Sequence, residues 1–363
     1  GATPTVAEGE RWGEQFAALL AVGDVEAAAQ RIDWDEVFTA ATHGTRVPER
    51  FRAGFVSEAR RCVARSGFVT QLARAASSGG SVAPVRCRVD GDGCHLLMRV
   101  IQDSGLNYHD YHLVRSGTET SAADADVLLA GEQLSATIRR LFLINVATAA
   151  IPLADEPEAT DATVLHNAAA LRQLLTAADD GDHAGVLEVA AGLPASLLAE
   201  KPLLMARAIA AVRSGSEQQD QAVADLRAGF PDDASVDLVS IDHHAQHHDR
   251  DSCLEAIDHL DRRLGGDPYL DVLRATVHLG ASDYAQATRA VEAALAALPK
   301  LPQPYWVRLA IALEQQRHDE TALWLDLIAE RFGVGFPDLE MIPEYAAFVR
   351  SPEYRAWKSR RGG

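Results

Sequence analysis

The sequence of 363 residues is poor in the side chains that most often carry covalent or redox chemistry: it holds 4 Cys, 3 Met and only 6% aromatic residues. No Cys-x-x-Cys pair occurs, which removes the dithiol redox motif and the paired-cysteine zinc sites. There is no Gly-rich phosphate loop and no Gly-x-Ser-x-Gly elbow, so the common nucleotide-binding and hydrolase signatures are missing. The most apolar stretch, Leu141 to Leu153, contains Asn145 and Pro152. It falls short of the roughly 18 apolar residues that a membrane-crossing helix needs, so no membrane insertion is expected. No cofactor is implied by any motif.

Lysine is absent from residues 1–150, which carry 15 Arg against 18 Asp plus Glu, a net charge of −3. Residues 151–363 carry 19 basic and 34 acidic groups, a net charge of −15, which recovers the total of −18. An acidic second half repels phosphate backbones and attracts basic peptides or cations, which argues against nucleic acid as a partner. The same charge also keeps an alanine-rich chain soluble. Apolar content of 47% is ordinary for a globular protein. The length favours two domains. The chain begins Gly-Ala-Thr-Pro, without Met. That start is read as a processed or trimmed one, in the cytoplasm or exported after loss of a signal peptide.

Periodicity is the strongest positive signal. Ala222, Ala256, Ala287 and Ala322 are spaced 34, 31 and 35 residues apart, and a beat near 34 marks stacked helix–turn–helix units. The clearest unit runs from Pro268 to Leu301, with Ala275, Tyr284, Ala287, Val291, Ala294, Leu295 and Pro299. The next carries Trp306, Leu309, Ala310, Leu313, Ala322 and Ala329 at matching offsets, with Val334 in the slot of the closing proline. These residues resemble the tetratricopeptide signature. About five helix pairs are expected over 162–336, with turns at Asp180-Gly181-Asp182, Ser214-Gly215-Ser216 and Asp249-Arg250-Asp251. Residues 337–363, with Tyr345, Phe348, Tyr354 and Trp357, are expected to cap the stack.

Residues 1–150 read differently. Trp12, Phe16, Leu19 and Leu20 follow helical spacing, and Pro48 opens a helix expected to run to about Ala75. The period then changes. Val85, Cys87 and Val89 alternate with Arg86 and Arg88, and Asp90-Gly91-Asp92-Gly93 signals a hairpin. Strands at 94–101, 107–114 and 122–129 follow, with turns at Ser104-Gly105 and Ser116-Gly117, and a helix starts near Leu134. Helices followed by a four-stranded antiparallel meander make an α+β layer. In element order it resembles the cone-shaped fold of nuclear-transport-factor-2-like and cystatin-like domains. Segment 151–161, with two prolines and four acidic residues, is read as a linker between halves that fold separately.

Several clusters could carry function. On a helix, His243 with His247 and His244 with His248 are i, i+4 pairs able to converge on one metal, a third ligand coming from Asp249, Asp251 or His259. No Glu follows the first His as a metalloprotease requires. The repeat register instead places His244 and His247 inside a helix pair and has His243 and His248 face a neighbour or solvent, so no metal is expected. On the sheet, alternation puts Tyr108, Asp110 and His112 on one face, and a hairpin brings one face beside Asp124 and Asp126. An imidazole next to a carboxylate in a concave pocket can transfer protons; on a solvent face it is an ordinary cross-strand pair. Cys87 opposes Cys94 if Asp90-Gly91 alone forms the turn, which would allow a disulfide in an oxidising compartment. If all of 90–93 is loop, Val89 opposes Cys94 and the pair is out of register.

The leading expectation is a non-enzymatic adaptor that binds a protein or peptide on the concave face of the repeats, the acidic charge there favouring a basic partner. By the tetratricopeptide resemblance, Arg207, Arg213, Asp271, Arg274, His278 and Arg308 line that groove. The alternative is a small-molecule-binding protein or enzyme whose site is the N-terminal cone, built from Tyr108, Asp110, His112, Asp124 and Asp126.

Overall fold

The computed structural model describes residues 3–65, 67–91, 93–102, 105–117, 119–336 and 338–361. Five helices open the chain: α1 (Val6–Ala21), α2 (Val25–Ala29), α3 (Trp34–Thr42), α4 (Glu49–Arg65) and α5 (Phe68–Ser77). Thr5 and Glu8 form a reciprocal capping box at the start of α1. Trp12, Phe16 and Leu20 recur along one face of α1 and are buried. Gly13 lies on that face too, where a Cβ would meet Leu96 Cδ2 at 2.6 Å, so its lack of a side chain lets the helix approach the sheet. The helix expected from Pro48 to Ala75 is instead α4 followed by α5, and Ser66 between them lies outside the described residues.

The sheet is a meander of β1 (Ser81–Asp90), β2 (Gly93–Gln102), β3 (Gly105–Ser116), β4 (Glu119–Val127) and β5 (Glu132–Gln133), antiparallel throughout and in sequence order. The short fifth strand adds to the four expected. Asp92 and Ser104, expected in the first two turns, lie outside the described residues. Paired residues share a face. Leu96, Tyr111 and Ala125 face α1 and its neighbours, as do Cys94 and Leu113. Trp12 and Phe16 stack at 4.9 Å and both rings lie against Tyr111, while Phe68 stacks on His109 at 5.2 Å. Aromatic rings thus fill the space between helices and sheet. On the opposite face, Leu97, Arg99, Ile101 and Tyr108 are buried as well.

A long helix, α6 (Leu134–Thr148), leaves the sheet, and α7 (Ala159–His166), α8 (Ala168–Asp179), α9 (His183–Ala191), α10 (Ala195–Leu198), α11 (Lys201–Ser214), α12 (Gln219–Gly229) and α13 (Ala234–Gln246) follow. Then come α14 (Arg250–Leu264), α15 (Leu270–Gly280), α16 (Tyr284–Ala297), α17 (Pro302–Glu314), α18 (His318–Phe332), α19 (Ala346–Val349) and α20 (Pro352–Arg361). Contacts gather into two compact units, Gly1–His243 and His244–Gly363, with the boundary inside α13. Segment 151–161, expected as the divide, lies within the first unit. The reason is α6: its buried Leu143 and Ile144 share a core with Val164, Leu171, Val186 and Leu193. Arg140 also bridges Glu132 and Glu200, at 3.0 Å to each.

Within the first unit α8 packs on α9, α9 on α11, and α11 on α12. Within the second, α15 packs on α16 and α17, and α17 on α18. Ala222, Ala256, Ala287 and Ala322 are all buried, as close helix packing demands. The turns inside the pairs repeat in backbone conformation. Gly181, Gly215, His248, Ser282 and Gln316 all have positive φ, spaced 34, 33, 34 and 34 residues apart. In each case the next residue donates its N–H to a carbonyl five positions back: Asp182 to Ala177, Ser216 to Ala211, Asp249 to His244, Asp283 to His278 and Arg317 to Ala312. This is the Schellman closure of a helix C-terminus. Asp182, Asp249 and Asp283 then cap the following helix with their side chains. At the C-terminal end Tyr305, Tyr345, Phe348, Tyr354 and Trp357 form one buried cluster.

Candidate functional site

The sheet's outer face carries a polar cluster near the first hairpin. The register sets His95 opposite His112, and Asp110 opposite Asp126. His112 Nε2 lies 2.7 Å from Asp126 Oδ2, and the two imidazoles meet edge to face at 4.7 Å. Arg88 donates to Asp110 Oδ2 at 2.7 Å, and His95 Nδ1 is 3.8 Å from the same oxygen. Asp124 is committed to structure: it accepts from the Ser135 backbone N–H at 3.1 Å and from the Ser135 hydroxyl. Tyr108 is fully buried, away from solvent. Tyr108, Asp110, His112, Asp124 and Asp126 therefore share one face, as alternation requires, but that face is turned away from α1 and α5.

Electrostatics separate the two histidines. The hydrogen bond that His112 donates to Asp126, with the charges of Asp126, Asp110 and Asp124, holds His112 above the usual imidazole range. Burial pulls His95 below it, and Arg88 and His112 add positive charge that pushes the same way. Burial alone would raise Asp126, but hydrogen bonds from His112 and Gln133 outweigh it and leave that carboxyl low. His109, on the other face, is fully enclosed and burial lowers it to about 3, so it stays neutral. The cluster can therefore hold one proton on His112 while His95 remains neutral beside it. His95 was missed in the sequence because its partners become visible only once β2 is registered against β3.

The six residues expected to line a groove are largely engaged with neighbouring charged side chains. Arg207 pairs with Asp225 at 2.7 Å. Arg274 serves three: Asp258 at 2.8 Å, Asp261 at 2.7 Å and Asp271 at 2.8 Å. Arg308, 7% exposed, lies 2.9 Å from Glu320 and over the Trp324 ring. Arg213 sits near Asp242, where its charge opposes the upward effect of burial on that carboxyl. His278 Nδ1 is 3.8 Å from Asp283 Oδ2, and burial lowers its pKa. The large apolar side chain that α17 exposes is Trp306, 38% exposed, with Phe336 edge-on at 5.9 Å.

The histidine run straddles the boundary between the units. In the first, His243 Nε2 is 2.8 Å from Asp220 Oδ1. In the second, half-buried His244 has Nδ1 3.9 Å from Asp249 Oδ2, and His248 takes the positive φ that ends the helix. His247, expected inside the helix pair, is exposed instead, because α13 ends at Gln246. Cys87 and Cys94 are free thiols with Sγ atoms 3.7 Å apart.

No family model matches the chain, and no curated protein or solved structure matches it either. Among the described residues no helix is long and apolar enough to cross a membrane. An N-terminal α+β domain followed by a helical region is the class that the fold defines.

Proposed function

We propose that the chain is a non-enzymatic adaptor whose tetratricopeptide-like helix pairs form a solenoid that holds a protein or peptide segment. The observation that carries this reading is the recurrence of left-handed turn residues at 181, 215, 248, 282 and 316, each closing a helix with the same hydrogen bond. A chain repeats one supersecondary unit in this way when units stack, and stacked helix pairs present a continuous surface for ligands. In the second unit the first helices of successive pairs, α15 and α17, pack side by side. Trp306 offers an exposed aromatic anchor there. With Arg207, Arg274 and Arg308 neutralised internally, the acidic balance of residues 151–363 favours a basic segment.

The test uses the full chain and an immobilised array of Lys/Arg-rich peptides. Binding in the micromolar range that weakens with added salt is expected, with a drop of about tenfold in Trp306→Ala. Acidic peptides binding as well as basic ones, or an unaffected Trp306→Ala, overturns it. One observation favours the alternative, a small-molecule or catalytic site in the N-terminal domain: the His112–Asp126 pair, with His95 against it. In that reading a ligand follows Asp126→Asn and is indifferent to Trp306→Ala.

A further inference from the structure

Cys87 and Cys94 stand on adjacent strands without being a register pair. Cys87 lies opposite Leu96, and Cys94 opposite Val89. They are diagonal neighbours on one face, and their Sγ atoms still approach to 3.7 Å. Strand twist makes one diagonal shorter than the other, which lets an offset pair touch. Over the two sulfurs passes α1, at Gly9. A Cβ there would meet Cys87 Sγ at 2.4 Å and Cys94 Sγ at 3.2 Å, so the glycine leaves the sulfurs the space between helix and strands. The same end of α1 is tied to β3 by Arg115, which donates to both oxygens of Glu8 at 2.6 Å.

We propose that Cys87 and Cys94 are a reversible dithiol–disulfide site that staples the first hairpin beneath α1, with a low-molecular-weight disulfide as its oxidant. Cys87, the more exposed of the two, loses its proton and attacks one sulfur of the oxidant, expelling one thiolate. Cys94 then loses its proton and attacks Cys87 Sγ, breaking the mixed disulfide and expelling the second thiolate. Two electrons pass from the protein to the oxidant, which leaves as two thiols. Side-chain rotation closes the contact to the bond length of about 2 Å. Burial, reinforced by the neighbouring sulfur, pushes the Cys87 thiol up to about 12, and burial raises Cys94 too. Thiolate is therefore scarce near neutrality, and exchange is slow there and quickens with pH.

The experiment uses the full chain carrying Cys62→Ser, which removes the exposed competing thiol. The protein is incubated with oxidised glutathione, quenched in acid, alkylated and mapped by mass spectrometry. The expected product is a species two hydrogens lighter with Cys87 and Cys94 joined, reversed by dithiothreitol. Its rate of formation should rise about tenfold per pH unit from about pH 7 to 9. The joined form should also show slower hydrogen exchange across the hairpin than the reduced form. A glutathione adduct that remains on Cys87, or both thiols still alkylated after prolonged oxidation, overturns the proposal.

Discussion

His112 is paired by strand register with Asp124, yet its Nε2 bonds Asp126 at 2.7 Å. The displacement has a cause on each side. Asp124 is drawn to the start of α6, where it accepts from the Ser135 backbone and hydroxyl. The bulge between His112 and Leu113 also breaks the ladder at this point. Asp126 is left to the imidazole.

That arrangement predicts two histidines titrating on opposite sides of the ordinary value of about 6.5. His112 should titrate above it and His95 below, and His109 should stay silent down to acid pH. The stability signs differ accordingly. The contribution of His112 is fully present below its unfolded pKa and fades as pH rises through its higher folded one. That of His95 is present above its unfolded pKa and is lost as pH falls toward its lower folded one. Imidazole NMR titration reads both, and Asp126→Asn should bring His112 down. Coincident midpoints for His95 and His112 would refute the assignment.

Arg308 and Arg274 are expected to behave as structural residues. Removing Arg308 leaves Glu320 in a largely buried site with only the half-exposed Arg317 beside it, so the loss should approach but stay below the roughly 3–5 kcal/mol of a fully stranded member of a buried pair. Arg274→Ala leaves three carboxylates together; the half-exposed Asp258 screens part of that repulsion, so roughly 1–2 kcal/mol is expected. Urea unfolding of each full-length variant measures the loss. Wild-type stability in both variants would return these arginines to the role of ligand contacts.

Much of this was legible in sequence for definite reasons. Strict alternation in β3 placed Tyr108, Asp110 and His112 on one face, and small Ala287 and Ala322 marked where helices cross. Other features were hidden. Turns at Gly181 and Gly215 announce themselves, whereas Ser282 and Gln316 adopt the same left-handed backbone without glycine. The hairpin register was ambiguous because Asp90-Gly91-Asp92-Gly93 offers two glycines, and the structure pairs Asp90 with Gly93. That makes Val89 oppose Cys94, while the diagonal contact of the sulfurs depends on twist, which spacing does not encode. The arginines looked available because ion-pair partners such as Asp261 and Glu320 come from the neighbouring helix.

The left-handed turns give a prediction of increased stability. Ser282 and Gln316 hold φ of 56° and 54°, a region that costs a residue with a Cβ about 1–2 kcal/mol. Ser282→Gly and Gln316→Gly should each stabilise the protein by about 0.5–1 kcal/mol, after the larger unfolded-state entropy of glycine is subtracted. Gly215→Ala should do the reverse, through the backbone alone, since nothing lies within 4 Å of its added Cβ. Thermal melts of the three variants decide the matter. A lower midpoint for both glycine variants would mean these turns are not interchangeable members of one repeat.

The last prediction concerns where the chain can be divided. Segment 151–161 has the composition of a linker, but the elements on its two sides share buried structure. Leu143 and Ile144 of α6 pack with Val164, Leu171 and Leu193, and Leu129 packs with the cluster around Leu204 and Met205. Arg139 pairs with Asp161, and Arg140 with Glu200. A fragment of residues 1–150 would expose these apolar side chains to water and take Asp161 from Arg139 and Glu200 from Arg140, so it should aggregate or lose its near-ultraviolet circular dichroism. A fragment of residues 1–249, which keeps α13 whole, should retain that signal and melt cooperatively, because it preserves the whole of the first compact unit. The comparison needs both fragments at equal concentration, with light scattering beside the circular dichroism. If residues 1–150 melt as sharply and as high as residues 1–249, the α6 contacts contribute little and the sheet is a domain by itself.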